Sequence, residues 1–190
     1  FLACYVYLLL FLHGAWVPVT VDGGATLAWP GALAIDLTLL ALFCIQHTVM
    51  ARPGFKARFT RWVPQSIERS TYVLLSSLLI ALLIALWQPI DAPVWSIDAT
   101  LSQAVLRGLF WTGAALIPVV TFAIDHFELF GLKQVVSAAR RREHVPPAFR
   151  VRSFYRLVRH PLYIGWILTF WATPQMTVGH LVLAITWTAY

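Results

Sequence analysis

Residues 70–90 read STYVLLSSLLIALLIALWQPI, a run with no Asp, Glu, Lys or Arg. A helix rises about 1.5 Å per residue, and the hydrocarbon core of a bilayer is about 30 Å thick. A run of this length crosses a membrane as one helix, with every backbone group satisfied inside the segment, as lipid requires. It is flanked by charges of opposite sign. Residues 51–69 carry Arg52, Lys56, Arg58, Arg61 and Arg69, whereas Asp91 and Asp98 follow the run.

Outward from this span, four more apolar windows follow. Residues 1–21 form the first, broken late by Pro18. Residues 27–50 contain one acid, Asp36, which stands apart from the other charges and has no evident chemical role. Residues 108–124 include Pro118, and residues 161–190 carry no formal charge at all. That last stretch exceeds one span. Pro174 and Gly179, with Thr173, Gln175, Thr177 and His180 around them, predict a tight helical hairpin, because proline removes a backbone donor and clashes with the preceding turn. Residues 162–172 form one arm and residues 178–190 the other. A single kinked helix is the alternative. The expected fold is an all-α integral membrane protein, one domain over residues 1–190, with five to six transmembrane helices and the last two as a hairpin. The second arm is shorter than the roughly 20 residues a crossing needs. The chain opens on Phe1 and stops at Tyr190 within an apolar run, so the final helix is expected to be truncated and both ends incomplete.

Hydrophobic residues make up 59% of the chain and charged residues 12%, with a mean hydropathy of +0.74. That charge share is about half the ordinary one, which excludes a disordered chain, a coiled coil and most nucleic-acid binders. Every one of the 14 Lys and Arg residues except Arg107 falls in residues 51–69 or 132–160. The positive-inside rule places both segments in the cytoplasm. Some of these bases can touch anionic headgroups, and nucleic acid is not expected as a partner. Cys4 and Cys44 sit in apolar runs and form neither a disulfide framework nor a metal-ligand spacing.

Polar residues next to or within a bilayer are costly and mark function by default. Here they gather at one level. Gln46, His47 and Thr48 close the second span; Glu68, Arg69, Ser70 and Thr71 open the third. Asp125, His126 and Glu128 follow the fourth, and Arg159, His160, Pro161 and Tyr163 open the fifth. All four sets lie at the basic ends of their helices, so a site at the cytoplasmic membrane interface is expected if those ends meet. Bland roles compete with this. A histidine at a helix end often caps or anchors it. Asp125 and Glu128, three apart, share a face and can pair with Arg69 or Lys133 as a structural lock. The six histidines show no HxxxH or HxH spacing, so no metal is expected.

Residues 159–165 read RHPLYIG. Pro161 suits the first turn of a helix, and the exposed N–H groups there favour an anion. Gly165 allows a ligand or another backbone to come close, and Tyr163 offers an aromatic face and a hydroxyl. This describes a pocket for a carboxylate-bearing ligand with a cationic or aromatic part.

The Arg-His-Pro-x-Tyr-x-Gly pattern at the start of a late span resembles the isoprenylcysteine carboxyl methyltransferase superfamily. Four blocks extend the likeness: residues 46–56 (QHTVMARPGFK), 68–74 (ERSTYVL), 125–135 (DHFELFGLKQV) and 159–180 (RHPLYIGWILTFWATPQMTVGH). In this order they resemble the bacterial methanethiol S-methyltransferase branch, which overlaps the NnrU-type membrane proteins. The resemblance implies an S-adenosylmethionine-dependent enzyme of the bacterial inner membrane that methylates methanethiol to dimethyl sulfide. It further implies that Arg159, His160, Pro161, Tyr163 and Gly165 line the cofactor pocket. The family's acidic pair after the last helix has no counterpart in these residues. Methyl transfer is an in-line displacement that rests on positioning, and the thiolate is the nucleophile. His47, Glu68, Asp125, His126 and Glu128 are therefore the candidates around the acceptor, one of them as base. Another lipid-soluble acceptor such as isoprenylcysteine is an alternative, as is a non-enzymatic accessory protein of nitrogen-oxide respiration. Oligomeric state is not legible.

Overall fold

A computed structural model of the chain describes residues 1–24, 27–145 and 160–190. Three helices are long and apolar enough to cross a membrane: α2 (Trp29–Ala51), α4 (Gln65–Leu86) and α5 (Thr100–Ile124). Three shorter apolar helices pack with them: α1 (Leu2–His13), α8 (Pro161–Trp171) and α9 (Val178–Ala189). Short helices α3 (Pro53–Phe59), α6 (His126–Leu129) and α7 (Leu132–Ala139) lie at the basic end of the bundle. Strands β1 (Pro93–Ser96) and β2 (Gln175–Thr177) pair antiparallel at the far end. The architecture is that of an all-α membrane protein.

Its outside explains this as well as its inside. Leu74, Leu78, Leu82 and Leu86 recur every four residues along α4, and all four are exposed. In water such a stripe would be an aggregation site; in lipid it is the outer wall. The opposite faces meet in a core built around Leu8, Phe11, Leu12, Leu40, Leu83 and Leu183.

The first window departs from expectation. α1 does not continue to residue 21; Gly14 closes it in the left-handed conformation, with its N–H bonded to Leu10 O. The chain then doubles back, and Val21 N–H bonds to Phe11 O at 3.0 Å. The fourth window also grows. α5 begins at Thr100 rather than 108, taking in Arg107, because one charge near a helix end does not stop a helix.

Pro118 sits inside α5 without ending it. Proline has no N–H for the carbonyl four residues earlier, which leaves Ala114 O free. The Tyr5 hydroxyl of α1 donates to that oxygen at 2.6 Å, in a buried contact. Tyr5→Phe should therefore cost about 1–2 kcal/mol, the price of an unsatisfied buried acceptor, read as a lower unfolding midpoint in detergent.

The hairpin forms as expected, with β2 at its bend, a strand the apolar pattern did not reveal. Ile97 N–H bonds to Pro174 O at 3.0 Å and Gly179 N–H to Ile90 O at 3.1 Å, so the bend is fixed to the segment after α4. Asp22 completes the attachment. Its carboxylate accepts from the Thr177 hydroxyl at 2.6 Å and lies 3.5 Å from His180 Nδ1. His180 is fully buried and its Nε2 donates to Phe170 O at 3.1 Å.

The second arm also departs from expectation. Although α9 has only 12 residues, the Tyr190 hydroxyl lies 2.8 Å from Thr48 Oγ1, near the basic end of α2. The arm reaches that level because its start is set deep in the bundle. Asp36 shows how deep. Buried in α2, it accepts from the Gln88 backbone N–H just beyond α4 at 2.9 Å. This gives Asp36 a structural role: it satisfies a backbone donor at membrane depth.

Candidate active site

His47 stands one turn before the end of α2, facing α4. The Tyr72 hydroxyl lies 2.9 and 2.8 Å from its two ring nitrogens. Ser76, four residues further along α4, places its Oγ 3.3 Å from His47 Nδ1 and donates to Gln46 Oε1 at 3.2 Å. An amide oxygen only accepts, so Ser76 spends its proton there and accepts from Nδ1–H. In the tautomer this arrangement favours, Nδ1 carries the hydrogen and Nε2 the lone pair, within reach of the Tyr72 hydroxyl. Phe43 stacks on the imidazole at 5.2 Å, and the Tyr190 ring stands edge-on at 6.3 Å. The result is an imidazole held by two hydroxyls of α4 among three aromatic rings.

A second group forms where α5 ends. Asp125 caps α6 by accepting from Glu128 N–H at 3.1 Å, and Lys133 Nζ is hydrogen-bonded to its other oxygen. The structural lock thus forms between Asp125 and Lys133. The Lys133 hydrogen bond first, and the Glu128 N–H after it, hold the Asp125 carboxyl below its ordinary value of 3.8. A depressed acid contributes stability above its unfolded pKa and loses it as pH falls through the folded one. Below about pH 4 the protein should therefore lose stability more steeply than its Asp125→Asn variant, as measured by unfolding midpoints across pH.

Glu128 Oε1 accepts from Gln134 Nε2 at 2.7 Å and lies 3.0 Å from His144 Nε2. Its Oε2 is buried without a partner among the described residues. His126 bonds through Nδ1 to Thr121 Oγ1 at 3.0 Å and stacks on Phe122 at 4.2 Å, which is the anchoring role of a helix-end histidine. Glu68 lies 3.9 Å from Lys56 Nζ. Arg69 pairs with neither acid; its Nε donates to Leu129 O at 2.9 Å and ties α4 to the α6–α7 corner. That corner turns at Gly131, φ +78°, where a Cβ would stand 2.7 Å from Ser70 N. Only glycine fits both the backbone and the contact.

The third group is the start of α8. His160 precedes the helix, Pro161 opens it, and the His160 and Tyr163 rings meet edge to face at 5.6 Å, with Tyr163 60% exposed. Arg159 lies outside the described residues. Gly165 is buried, and the close approach it allows is to α5: a Cβ there would meet Ile117 Cγ1 at 2.7 Å and Gly113 O at 3.1 Å. Among the described residues, no hydrogen bond or ion pair joins the His47, Glu128 and His160 groups, although all three lie at the basic end. Sequence reasoning missed Tyr72 and Ser76. Two polar residues four apart on a leucine-rich helix, level with His47, were the available signal.

A protein named methanethiol S-methyltransferase from a Pseudomonas species is 47% identical to this chain over 190 residues, which cover all of the chain and 73% of that protein. The chain belongs to the methanethiol S-methyltransferase family. A second protein of that name, from Pseudomonas deceptionensis, is 52% identical over 92% of the chain and 66% of its own length. Nurim of Xenopus laevis is a more distant relative, 31% identical over 90% of the chain and 65% of its own length. No family model matches the chain, and no solved structure does. As a methanethiol S-methyltransferase family member, the chain carries the His47, Glu128 and His160 groups at one end of the bundle and closes the other with β1 and β2.

Proposed function

We propose that the protein transfers a methyl group from S-adenosylmethionine to methanethiol, forming dimethyl sulfide, at the cytoplasmic face of a bacterial inner membrane. Family membership supports the methyl transfer. The observation that carries the chemistry is the His47 group, an imidazole held by the Tyr72 and Ser76 hydroxyls within an aromatic setting at the basic end of the helices. The methyl donor supplies an electrophilic methyl carried by a sulfonium. His160, Pro161 and Tyr163, with Gly165 behind them and Arg159 before them, hold it. Two features fit such a group: the first turn of α8 suits a carboxylate, and Glu128 Oε2, without a partner among the described residues, suits a positive charge. On the acceptor side, the thiol replaces Tyr72 as donor to His47 Nε2 and passes its proton there, leaving the thiolate to attack. Glu68, Asp125 and His126 shape this side through their partners Lys56, Lys133 and Thr121.

Purified protein in proteoliposomes, given methanethiol and S-adenosylmethionine, should release dimethyl sulfide into the headspace, and omission of either substrate should abolish it. Donor binding without product would point to another lipid-soluble acceptor. Neither binding nor product would return the chain to a non-enzymatic membrane role.

Orientation is tested separately. Cysteines placed at Gln65 and Ala139, both exposed at the basic end, should resist an impermeant thiol reagent in intact cells and react after lysis. Ready labelling of either in intact cells would invert the topology.

A further inference from the structure

We propose that α7 and the arginines that follow it form a docking surface for anionic phospholipid headgroups. Leu132, Val136 and Arg140 lie four apart and share one face of the helix. Leu132 and Val136 are 47% and 46% exposed, and Arg140, Arg141 and Arg142 are exposed beside them. No acid occurs from Leu129 to Arg142, a single one, Glu143, follows, and the two acids just before this stretch are already paired, Asp125 with Lys133 and Glu128 with Gln134 and His144. An apolar stripe rimmed by arginine is how a helix lies in the plane of a membrane interface, its side chains in the acyl boundary and its charges among headgroups.

The position fits. α7 is held at the basic end of the bundle by Arg69 on Leu129 O and by the Gly131 turn against Ser70, so its exposed stripe meets the membrane surface alongside the spans. A cleft of about 450 Å³ opens on the same side, walled by Phe127, Leu132, Val136 and Val145; Glu128 also lines it, and its Lys133 and His144 are already paired with Asp125 and Glu128, so the attraction to a headgroup rests on Arg140, Arg141 and Arg142. Charge complementarity selects an anionic lipid over a zwitterionic one, because a polybasic run gains from negative surface potential.

The inference does not depend on the chemistry proposed above, and its test does not use activity. The detergent-solubilised full chain is titrated with short-chain phosphatidylglycerol, short-chain phosphatidylcholine or inorganic phosphate, and its unfolding midpoint is followed. Phosphatidylglycerol should raise the midpoint, and phosphatidylcholine and phosphate should not. The triple change Arg140→Gln, Arg141→Gln and Arg142→Gln should weaken the apparent phosphatidylglycerol affinity by roughly a hundredfold. The corresponding triple change to lysine should retain it, as should Arg107→Gln at the other end of the bundle. Equal shifts from the two lipids, an equal shift from phosphate, or full retention of the shift in the glutamine variant would each overturn the proposal.

Discussion

His47→Ala is expected to lower turnover by about a hundredfold or more, the usual contribution of a positioned general base, while the affinity for S-adenosylmethionine stays within about twofold of the parent. The split follows from position. His47 is bound to Tyr72 and Ser76 of α4, whereas the donor is proposed to sit at the start of α8. Loss of the imidazole also frees Ser76 and Tyr72, so an unfolding midpoint should accompany the kinetics. Tyr72→Phe separates the roles: it keeps the ring beside His47 and removes the hydroxyl donor to Nε2, and it should shift the pH–rate profile more than it lowers the midpoint. Unaltered turnover in folded His47→Ala would remove this residue from the reaction.

The largest structural effect is expected at Gly113. A Cβ there would stand 2.6 Å from Leu168 Cβ and 2.7 Å from Gly165 O. One neighbour is a backbone atom, and no rotamer change relieves it. Gly113→Leu should therefore force α5 and α8 apart and cost about 3 kcal/mol or more, the upper range of overpacking, against a total stability of about 5–15 kcal/mol. Gly165→Leu should behave alike, since its Cβ would meet Ile117; any loss of donor binding in that variant then reports the helix contact. Gly54→Ala, where nothing lies within 4 Å, is the control and should leave the midpoint unchanged or slightly raised. A midpoint in Gly113→Leu equal to that of the parent would show that the two helices do not pack backbone to backbone.

What could be read beforehand followed from where charge is tolerated. The windows containing α2 and α4 are legible because lipid excludes Lys, Arg, Asp and Glu, and the hairpin is legible because Pro174 cannot continue a helix. Other features depend on partners distant in sequence. β1 and β2 are four and three residues long, too short for any alternation to show, and exist only because the hairpin brings residue 175 beside residue 96. Asp36 had no meaning until Gln88 N–H was placed against it. Gly165 read equally well as a ligand contact or a helix contact, and Gly113 on another helix supplies the second. The polar set at the basic end was recognised residue by residue, but its division into three groups was not, because the pairs Asp125 with Lys133 and His126 with Thr121 consume groups that looked available.

The depth of Asp36 has a mechanical consequence. It lies seven residues inside the far end of α2, or about 10 Å along the helix axis, and the Gln88 backbone it satisfies lies at the same depth. Asp36 is 1% exposed, so protein rather than lipid closes over this polar bend, as irregular backbone at such depth requires. The fit of α2 against the segment after α4 takes the place of solvent on this flank and, through α9, helps to set the Tyr190 contact beside His47.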